Sequence, residues 1–305
     1  MERLLITLIL VCTMNNITNA QNPFYGQYHT PHEAVPFDRI ETEHYEPAIL
    51  EGIKLQNAEI EAIIQNPEKA DFTNTIEAFE ESGELLDKVV AVFGNMLSAE
   101  TNDDLQELAQ KIMPLLSEHS NNITLNEKLF ARVKEVYNQK ETLQLTQEQK
   151  QLLENAYNSF VRHGANLEGE AREEYRRLTN ELSKLTLTFS ENNLKETNAY
   201  QMLLTKKESL AGLPEIIIEA AAETAKSEEK EGWAFTLHAP SYVPFMTYSD
   251  NRDLRQKLYM AYNTKCTHDN EFNNIDIVKN IANTRMKIAQ LLGYKDYAEY
   301  TLKKR

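Results

Sequence analysis

A helical spacing of apolar residues runs from Pro47 to about Thr197 and constrains the fold more than any other feature of the sequence. Apolar side chains that recur every three or four residues share one face of an α-helix, so each such segment must bury that face against a neighbour. The spacing therefore predicts a bundle of helices. The predicted helices are Pro47–Gln65, Asn74–Ala99, Asp103–His119, Asn126–Gln139, Gln147–Asn166 and Glu168 to about Thr197.

Two capping signals support the predicted helix starts. In a capping box, the N-cap side chain accepts a hydrogen bond from the third backbone amide of the helix, and the third side chain returns to the N-cap amide. Thr101–Asp104 and Thr146–Gln149 both have the residue types that this exchange requires.

The helix predicted from Glu168 carries a heptad-like stripe. Its apolar side chains are four, three, four, three and four residues apart, at Ala171, Tyr175, Leu178, Leu182, Leu185 and Phe189. Such a stripe packs one long helix against another. We expect an antiparallel partner within the chain, such as Gln147–Asn166, because short loops join neighbouring helices. A coiled coil between two copies of the chain is the alternative.

The pattern changes after Asn198. Tyr200–Thr205 and Trp233–Met246 have the composition of strands, and Pro240 and Pro244 would confine the second to an edge or an extended path. A helix is predicted between the two segments, over Pro214–Lys226. Two more helices are predicted after them, over Asn251–Asn263 and Phe272–Leu292. The fold class is therefore mainly α with a small β element.

Composition excludes several classes of function. Glycine occurs only 9 times, and neither GxxxxGK nor GxGxxG is present, which argues against a phosphate-binding loop. The formal net charge of −15 disfavours nucleic acid or an anionic membrane as a partner. Cys12 and Cys266 are the cysteines, so a chain that loses Cys12 with a signal peptide has no internal disulfide. We expect Cys266 to be a buried, idle thiol.

The N-terminus predicts export. A short charged segment precedes the apolar run Leu4–Cys12, and the small residue Ala20 marks a cleavage point. The apolar run is too short to cross a bilayer. We expect a signal peptide over residues 1–20 and a periplasmic or secreted protein that starts near Gln21. A lipoprotein signal through Cys12 is the weaker alternative, because a bulky residue precedes this cysteine.

The residues themselves assemble no catalytic or metal-binding constellation. The nearest approach is "HEAVP", His32–Pro36. An HExxH zinc motif needs two histidines one helical turn apart, with the glutamate between them as general base. Here Pro36 occupies the second histidine position, and two prolines flank a segment that disfavours a helix. We therefore predict no catalytic residue and no metal ligand, and the sequence identifies no substrate-binding residue.

A series of phrases nevertheless follows in unbroken order from about Asn22 to Arg305: "VPFDRIETEHYEPAILEGI", "FTNTIEAFEESGELLDKV", "LTQEQKQLLENAYNSFVRHGANL", "GWAFTLHAPSYVPFMTYSDNRDLRQKLYMAYNT" and "RMKIAQLLGYKDYAEYTLKK". Together they resemble the N-terminal portion of the M3 zinc metallopeptidases. The opening is most similar to the peptidyl-dipeptidase (dipeptidyl carboxypeptidase) branch, with oligopeptidase A as close kin.

The resemblance implies a fold and an activity. Members consist of two mostly helical halves around a deep channel that admits short unstructured peptides. One zinc, bound by HExxH and a downstream glutamate, polarises the scissile carbonyl and activates water. The dipeptidyl branch releases dipeptides from the C-terminus of oligopeptides. We therefore expect the multi-helix N-terminal half of a two-lobed M3-type peptidase.

The resemblance also implies what this chain lacks. HExxH lies in the C-terminal half of the family's members, and these 305 residues contain no such segment. We expect the chain to supply one wall of the substrate channel, to hold no zinc itself and to be inactive alone. Its partners would be the missing C-terminal catalytic half and short oligopeptides. The acidic surface of the channel wall would attract the cationic termini of these peptides. The alternatives are a stand-alone helical protein that binds peptides or proteins without hydrolysis, and a half-enzyme completed by a second chain.

The predicted domains follow this scheme. Residues 1–20 form a signal peptide, residues 21–46 an extended arm, and residues 47–197 a helical domain with long antiparallel helices. Residues 198–249 form a small β-containing insert, and residues 250–305 form helices that continue into the missing C-terminal catalytic region. Apolar helix faces that would pack against the C-terminal half should be exposed to water in this chain. We therefore expect self-association or poor solubility.

Overall fold

The structure is a computed structural model that describes residues 22–303. The predicted signal peptide, residues 1–20, lies outside the described residues. The chain divides into two units, one formed by residues up to Asn180 together with those from Ile288 onward, and the other by Glu181–Lys287. A helix with the length and apolar character needed to cross a membrane does not occur within residues 22–303.

Helices make up most of the described chain, as the apolar spacing predicts. In chain order the elements are α1 Thr42–Gln65, α2 Glu84–Ala99, α3 Asp103–Thr124, α4 Glu127–Asn138, α5 Gln147–Arg162, α6 Gly169–Ala199, β1 Gln201–Leu204, α7 Glu215–Ser227, β2 Trp233–Thr236, α8 Ala239–Tyr248, α9 Arg252–Asn263, α10 Ile275–Leu291 and α11 Tyr297–Leu302. The mainly α fold with a small β element is thus confirmed.

The arm, predicted to be extended over residues 21–46, is more structured than expected. It forms short 3₁₀ turns, and α1 begins at Thr42, ahead of its predicted start at Pro47. A capping box of Glu41 and His44 sets this early start, with the Glu41 amide donating to His44 Nδ1 at 2.9 Å. The exchange satisfies an amide that the first turn would otherwise leave without a partner.

The prediction of one helix over Asn74–Ala99 is wrong in its first part. Phe72–Glu77 forms a π-helical turn that runs into a short α-helical turn at Ala78–Glu80, and α2 begins only at Glu84. Gly83 separates the two, because its φ of 87° lies in the left-handed region that favours glycine. A Cβ atom at this position would also approach the Gln56 side chain to 2.3 Å. The chain therefore starts a new helix after the glycine.

The two capping predictions have different outcomes. The box at Thr146 is confirmed, since the Gln149 amide donates to Thr146 Oγ1 at 3.2 Å and the Thr146 amide donates to Gln149 Oε1 at 3.1 Å. At α3 the N-cap is Asn102 instead of Thr101, because Asn102 Oδ1 accepts a hydrogen bond from the Leu105 amide at 2.8 Å. Asparagine is a strong N-cap, so a shift by one residue keeps the helix capped.

The core of the first unit joins α1, α4 and α5. Its buried side chains include Ile60, Ile63, Ile76, Leu129, Val133, Val136, Leu153 and Phe160. The Phe160 ring lies 5.3 Å from Phe79 and 5.8 Å from Phe130, between ring centroids. Beside this core, α1 approaches α2 so closely that a Cβ atom on Gly52 would lie 2.9 Å from the Leu86 Cα atom. A glycine is therefore needed where these helices meet.

The stripe of the long helix is buried at its N-terminal end. Tyr175 is 3% exposed and Leu178 is 1% exposed. The neighbour that hydrogen bonds identify is α3, and not the predicted Gln147–Asn166. Asn121 Nδ2 donates to Thr179 Oγ1 at 2.9 Å. The expectation of an intramolecular helix pair is met with a different partner, because polar side chains that flank the stripe select α3.

The second unit builds its core around the two strands. β1 pairs antiparallel with β2, with Met202 opposite Phe235. Met202 and Phe235 pack with Phe245 and Leu258 from α8 and α9 in one buried cluster. The Phe235 and Phe245 rings meet nearly edge to face, 4.6 Å apart between centroids. Two short strands alone are marginally stable, so the helices supply the buried surface that holds them.

The predicted strand Trp233–Met246 ends much earlier than expected. Strand β2 stops at Thr236, and α8 starts at Ala239 with Pro240 in its first turn. The Thr236 amide donates to Ser241 Oγ at 3.0 Å, which closes the turn between them. Proline suits the first turn of a helix, where its missing amide hydrogen costs no hydrogen bond. Pro240 thus marks a helix start and not an edge strand.

Candidate functional site

The HEAVP segment does not form a zinc helix. Pro31–Glu33 is a 3₁₀ turn, in which His32 and Glu33 have φ values of 58° and 55°. The imidazole therefore has no second ligand one helical turn away, and Pro36 offers no donor atom. Within residues 22–303 no group of three or more His, Cys, Asp or Glu side chains is arranged to hold a metal ion. These residues do not fit the zinc that the family resemblance implies.

Cys266 is buried and free, as the sequence predicts. Its amide donates to the Glu196 carboxylate, and His268 Nε2 lies 3.5 Å from Glu196 Oε1. Burial raises the pKa of the Cys266 thiol to about 11, and the adjacent Glu196 carboxylate adds to the rise. A thiol that stays protonated at neutral pH is a poor nucleophile. The cluster fixes a loop and offers no activated cysteine.

One open cleft of the first unit has carboxylates as half of its lining residues. We call it the acidic cleft; its volume is about 1030 Å³, and its lining comprises Glu41, Thr42, Glu43, Glu46, Pro47, Leu50, Asp104, Glu107, Leu108 and Lys111. The starts of α1 and α3 supply these side chains. Lys111 Nζ lies 2.5 Å from Glu46 Oε1, so the cleft's basic group is already paired. The remaining carboxylates leave the cleft negative, which suits a cationic ligand.

A second cleft lies between the N-terminal arm and helices α1 and α2. We call it the arm cleft; its volume is about 750 Å³, and its lining comprises Phe24, Tyr25, Gly26, Gln27, Tyr28, Glu33, Glu51, Leu55, Glu84, Leu85 and Lys88. Aromatic and aliphatic side chains supply its apolar part, and carboxylates supply most of its charge. Burial raises the pKa of Tyr25, and the Glu51 carboxylate raises it further. Both tyrosines that line the cleft therefore stay neutral.

The tyrosines near the C-terminus have partners within the chain. The Arg162 guanidinium lies 4.3 Å from the centroid of the Tyr300 ring, and Arg162 Nη2 donates to the Tyr300 carbonyl at 2.8 Å. The Tyr294 ring meets Tyr300 edge to face at 5.2 Å. Burial raises the pKa of Tyr300, so its hydroxyl is neutral at physiological pH. The segment Leu291–Lys303 is thus anchored to the end of α5.

Helices α8 to α11 expose many large apolar side chains. Of the described residues, those between Tyr248 and Leu302 with exposed large apolar side chains are Tyr248, Tyr259, Met260, Tyr262, Ile275, Val278, Met286 and Leu302. Tyr259 is 50% exposed and Met260 is 49% exposed. Scattered apolar side chains are normal on a surface, whereas a high density of them is typical of a surface that binds another protein segment.

The same stretch matches a known family. Residues 245–305 match the profile described as Peptidase family M3. The chain carries peptidase family M3 sequence. The dipeptidyl carboxypeptidase of Escherichia coli strain K12 is 36% identical over 282 residues, which cover 92% of this chain and 41% of that protein. The M3 resemblance read from the sequence is thereby confirmed.

Further M3 relatives agree with this assignment. The dipeptidyl carboxypeptidase of Salmonella typhimurium is 35% identical over 282 residues, covering 92% of this chain and 42% of that protein. Oligopeptidase A of the same organism is 30% identical over 285 residues, covering 92% of this chain and 41% of that protein. The chain thus spans about two-fifths of the length of the curated relatives that it matches.

Sequence reasoning missed the lining of both clefts. The arm cleft joins residues more than fifty positions apart, such as Tyr28 and Lys88, and no local pattern indicates that they meet. The acidic cleft left a faint signal, because Glu43 and Glu46, and likewise Asp104 and Glu107, are three residues apart. Side chains at that spacing lie on one face of a helix.

Proposed function

We propose that the chain forms the N-terminal, helical part of an M3-type zinc metallopeptidase that releases C-terminal dipeptides from oligopeptides. The observation that carries the proposal is the 36% identity to a dipeptidyl carboxypeptidase over 282 residues. In this proposal the chain supplies one wall of the substrate channel. The zinc and its ligands belong to sequence outside these 305 residues, and the chain alone is inactive.

The chemistry of the residues supports this division of labour. The 305 residues contain no HExxH motif, and the nearest fragment, at His32, folds as a 3₁₀ turn. Apart from Val243, the exposed large apolar side chains of α8 to α11 fall in the stretch that matches family M3. Packing of the zinc-binding portion against them would remove apolar surface from water. The net charge of −15 favours peptides with cationic termini over nucleic acid.

A chimera tests the proposal. This chain replaces the aligned 41% of the Escherichia coli dipeptidyl carboxypeptidase, and release of C-terminal dipeptides from an N-blocked tetrapeptide is measured. We expect zinc-dependent release by the chimera and none by this chain alone. The control is the same chimera with the glutamate of the HExxH motif changed to glutamine, which removes the general base. Release by the chain alone would contradict the proposal.

We further propose that residues 1–20 direct export and are removed near Ala20. The apolar run Leu4–Cys12 and the small residue at the cleavage point support this. The test is N-terminal sequencing of the protein recovered outside the cytoplasm. We expect a start near Gln21. Retention of Met1 on the recovered protein, or equal export of a chain that lacks residues 1–20, would overturn the proposal.

A further inference from the structure

A small cavity of the second unit lies between helix α7, strand β2 and the start of helix α8. We call it the β2 cavity; its volume is about 210 Å³, and its lining comprises Ile217, Ala220, Ala221, Thr224, Ala234, Thr236, His238, Pro240 and Ser241. All of these residues belong to the unit Glu181–Lys287. Side chains two residues apart on a strand share one face, so Thr236 lies on the same face as Ala234, while Phe235 enters the core.

Small apolar side chains form the wall of the β2 cavity on the side of α7. Ala220 and Ala221 carry single methyl groups where α7 packs against β2, and Ala234 on β2 does the same. A wall of this kind contacts an aliphatic group of a few carbon atoms and excludes water from it. Polar side chains supply the other side of the cavity, at the end of β2 and the start of α8.

The exposed imidazole of His238 is held between two partners beside this cavity. His238 Nε2 lies 3.0 Å from Asn198 Oδ1, and His238 Nδ1 lies 3.2 Å from Thr236 Oγ1. An amide oxygen only accepts hydrogen bonds, so Nε2 carries the hydrogen and Nδ1 is the acceptor. The Thr236 hydroxyl therefore donates to Nδ1. This order of groups is that of a nucleophile, its general base and the residue that orients the base.

The other hydroxyls of the cavity have different roles. Thr224 Oγ1 donates to the Ala220 carbonyl at 2.9 Å, so its hydrogen is used within α7. Ser241 Oγ accepts a hydrogen bond from the Thr236 amide at 3.0 Å, and its own hydrogen is donated to no other residue in the described part of the chain. Ser241 is thus a hydrogen-bond donor next to Thr236 that an oxyanion would accept.

We propose that Thr236 is a nucleophile that accepts short acyl groups from esters, with His238 as its general base and Asn198 as the positioning residue of the imidazole. Thr236 Oγ1 bonds to the acyl carbon while its proton passes to His238 Nδ1, and Ser241 donates to the oxyanion. The bond between the acyl carbon and the ester oxygen then breaks, and this oxygen takes the proton from the imidazole and leaves as the alcohol.

Water completes the reaction. It bonds to the acyl carbon and gives a proton to His238 Nδ1, and Thr236 Oγ1 leaves and takes this proton back. One ester and one water thus give one alcohol and one carboxylic acid. The apolar wall at Ala220 and Ala221 is the place for the acyl chain. This ester chemistry goes beyond the proposed release of dipeptides, since it uses residues of this chain alone.

The test incubates the 305-residue chain with p-nitrophenyl acetate, follows the release of p-nitrophenol and locates the acetyl group by mass spectrometry of proteolytic peptides. We expect acetyl on Thr236 and a rate that saturates with the ester. His238→Gln should slow the release about a hundredfold, the lower end of what a general base contributes. Thr236→Val should abolish the saturable release, and Thr236→Ser should keep it. Acetyl on lysines alone, or an unchanged rate in His238→Gln, would overturn the proposal.

Two further changes test the positioning residue and the cavity. Asn198→Leu removes the acceptor of the imidazole and should slow the release about tenfold, whereas Asn198→Asp keeps an acceptor oxygen and should restore it to within about twofold. Ala220→Leu, at an exposed position of α7, fills the cavity without touching the reacting groups and should also slow the release about tenfold. Equal rates for Asn198→Leu and Asn198→Asp would contradict the role of Asn198.

Matched controls separate this site from general reactivity of surface imidazoles. Thr224→Val removes a hydroxyl of the same cavity, and His268→Gln removes an exposed imidazole of the same unit. Neither should change the rate, and a zinc chelator should not change it either. Fluorescence of Trp233, which lies in β2, checks that each variant keeps the strand. If either control slows the release as much as His238→Gln does, the proposal is wrong.

Discussion

The core of the first unit and the helices α8 to α11 differ in how completely their large apolar side chains are buried. In the core, Leu129 and Val133 are completely buried and Phe160 is 1% exposed. On the later helices, Tyr259 and Met260 of α9 are about half exposed, although Leu258 beside them is completely buried. The later helices thus bury one apolar face in a core and expose further large apolar side chains outside it. An open surface is typical of a segment that packs against further protein.

The largest expected effect separates two aromatic residues, one from each region. Phe160→Ala should lower the free energy of unfolding by about 3–5 kcal/mol, because it leaves a cavity between Phe79 and Phe130. Tyr259→Ala should change it by less than about 0.5 kcal/mol. Urea unfolding followed by circular dichroism measures both, and Trp233 fluorescence reports the unit Glu181–Lys287 separately. Equal losses would remove the contrast between the regions.

A pair of glycines sharpens the account of the closed region. Gly52→Ala should destabilise by about 1–3 kcal/mol, because its Cβ atom would lie 2.9 Å from the Leu86 Cα atom, and backbone cannot move aside cheaply. Gly94 lies in α2 with nothing within 4 Å of an added Cβ atom. Gly94→Ala should therefore stabilise by about 0.5–1 kcal/mol through helix propensity. The urea midpoints of the two variants should move in opposite directions. A shift in the same direction would show that α1 and α2 do not approach each other closely at Gly52.

The open region should control self-association. Tyr259→Ser, Met260→Lys and Val278→Lys combined should lower the apparent mass in sedimentation velocity, because they remove apolar surface that would otherwise associate. The free energy of unfolding should change little. The control places the same number of polar residues at exposed apolar positions of the first unit, Leu50, Leu55 and Leu115. An equal loss of association in the control would mean that α8 to α11 have no special role.

The smallest effect concerns a buried polar group of the closed region. His119 is 6% exposed, and its Nε2 lies 2.6 Å from Gln56 Oε1. Burial lowers the pKa of His119, so the unfolded chain binds the proton at a higher pH than the folded chain. The stability contribution is complete above the unfolded pKa of about 6.5 and is lost as the pH falls below it.

His119→Gln should therefore flatten the decline of stability between pH 7 and pH 5, measured by urea unfolding at several pH values. His29→Gln, which changes an exposed histidine of the arm, is the matched control and should leave the decline as it is. An unchanged decline in the His119 variant would show that the burial of this imidazole carries no penalty for its charge.

The sequence predicts this fold well wherever local rules decide. Periodicity locates most helices, and the residue types at Thr146 and Gln149 suffice for a capping box. One prediction fails where a distant contact decides, at Gly83, which packs against Gln56. Another fails where a local signal is ambiguous, at Ala239–Tyr248, because proline suits both an edge strand and a helix start. The clefts could not be predicted, because their linings come from segments that only the fold brings together.

The most direct test of the central claim compares dipeptide release by this chain alone with release by its chimera with the remainder of the Escherichia coli dipeptidyl carboxypeptidase. Both are assayed with the same N-blocked tetrapeptide, with zinc and with a chelator. The account expects zinc-dependent release by the chimera and none by the chain. Zinc-dependent release by the chain alone, or a folded and zinc-loaded chimera that releases no dipeptide, would contradict it.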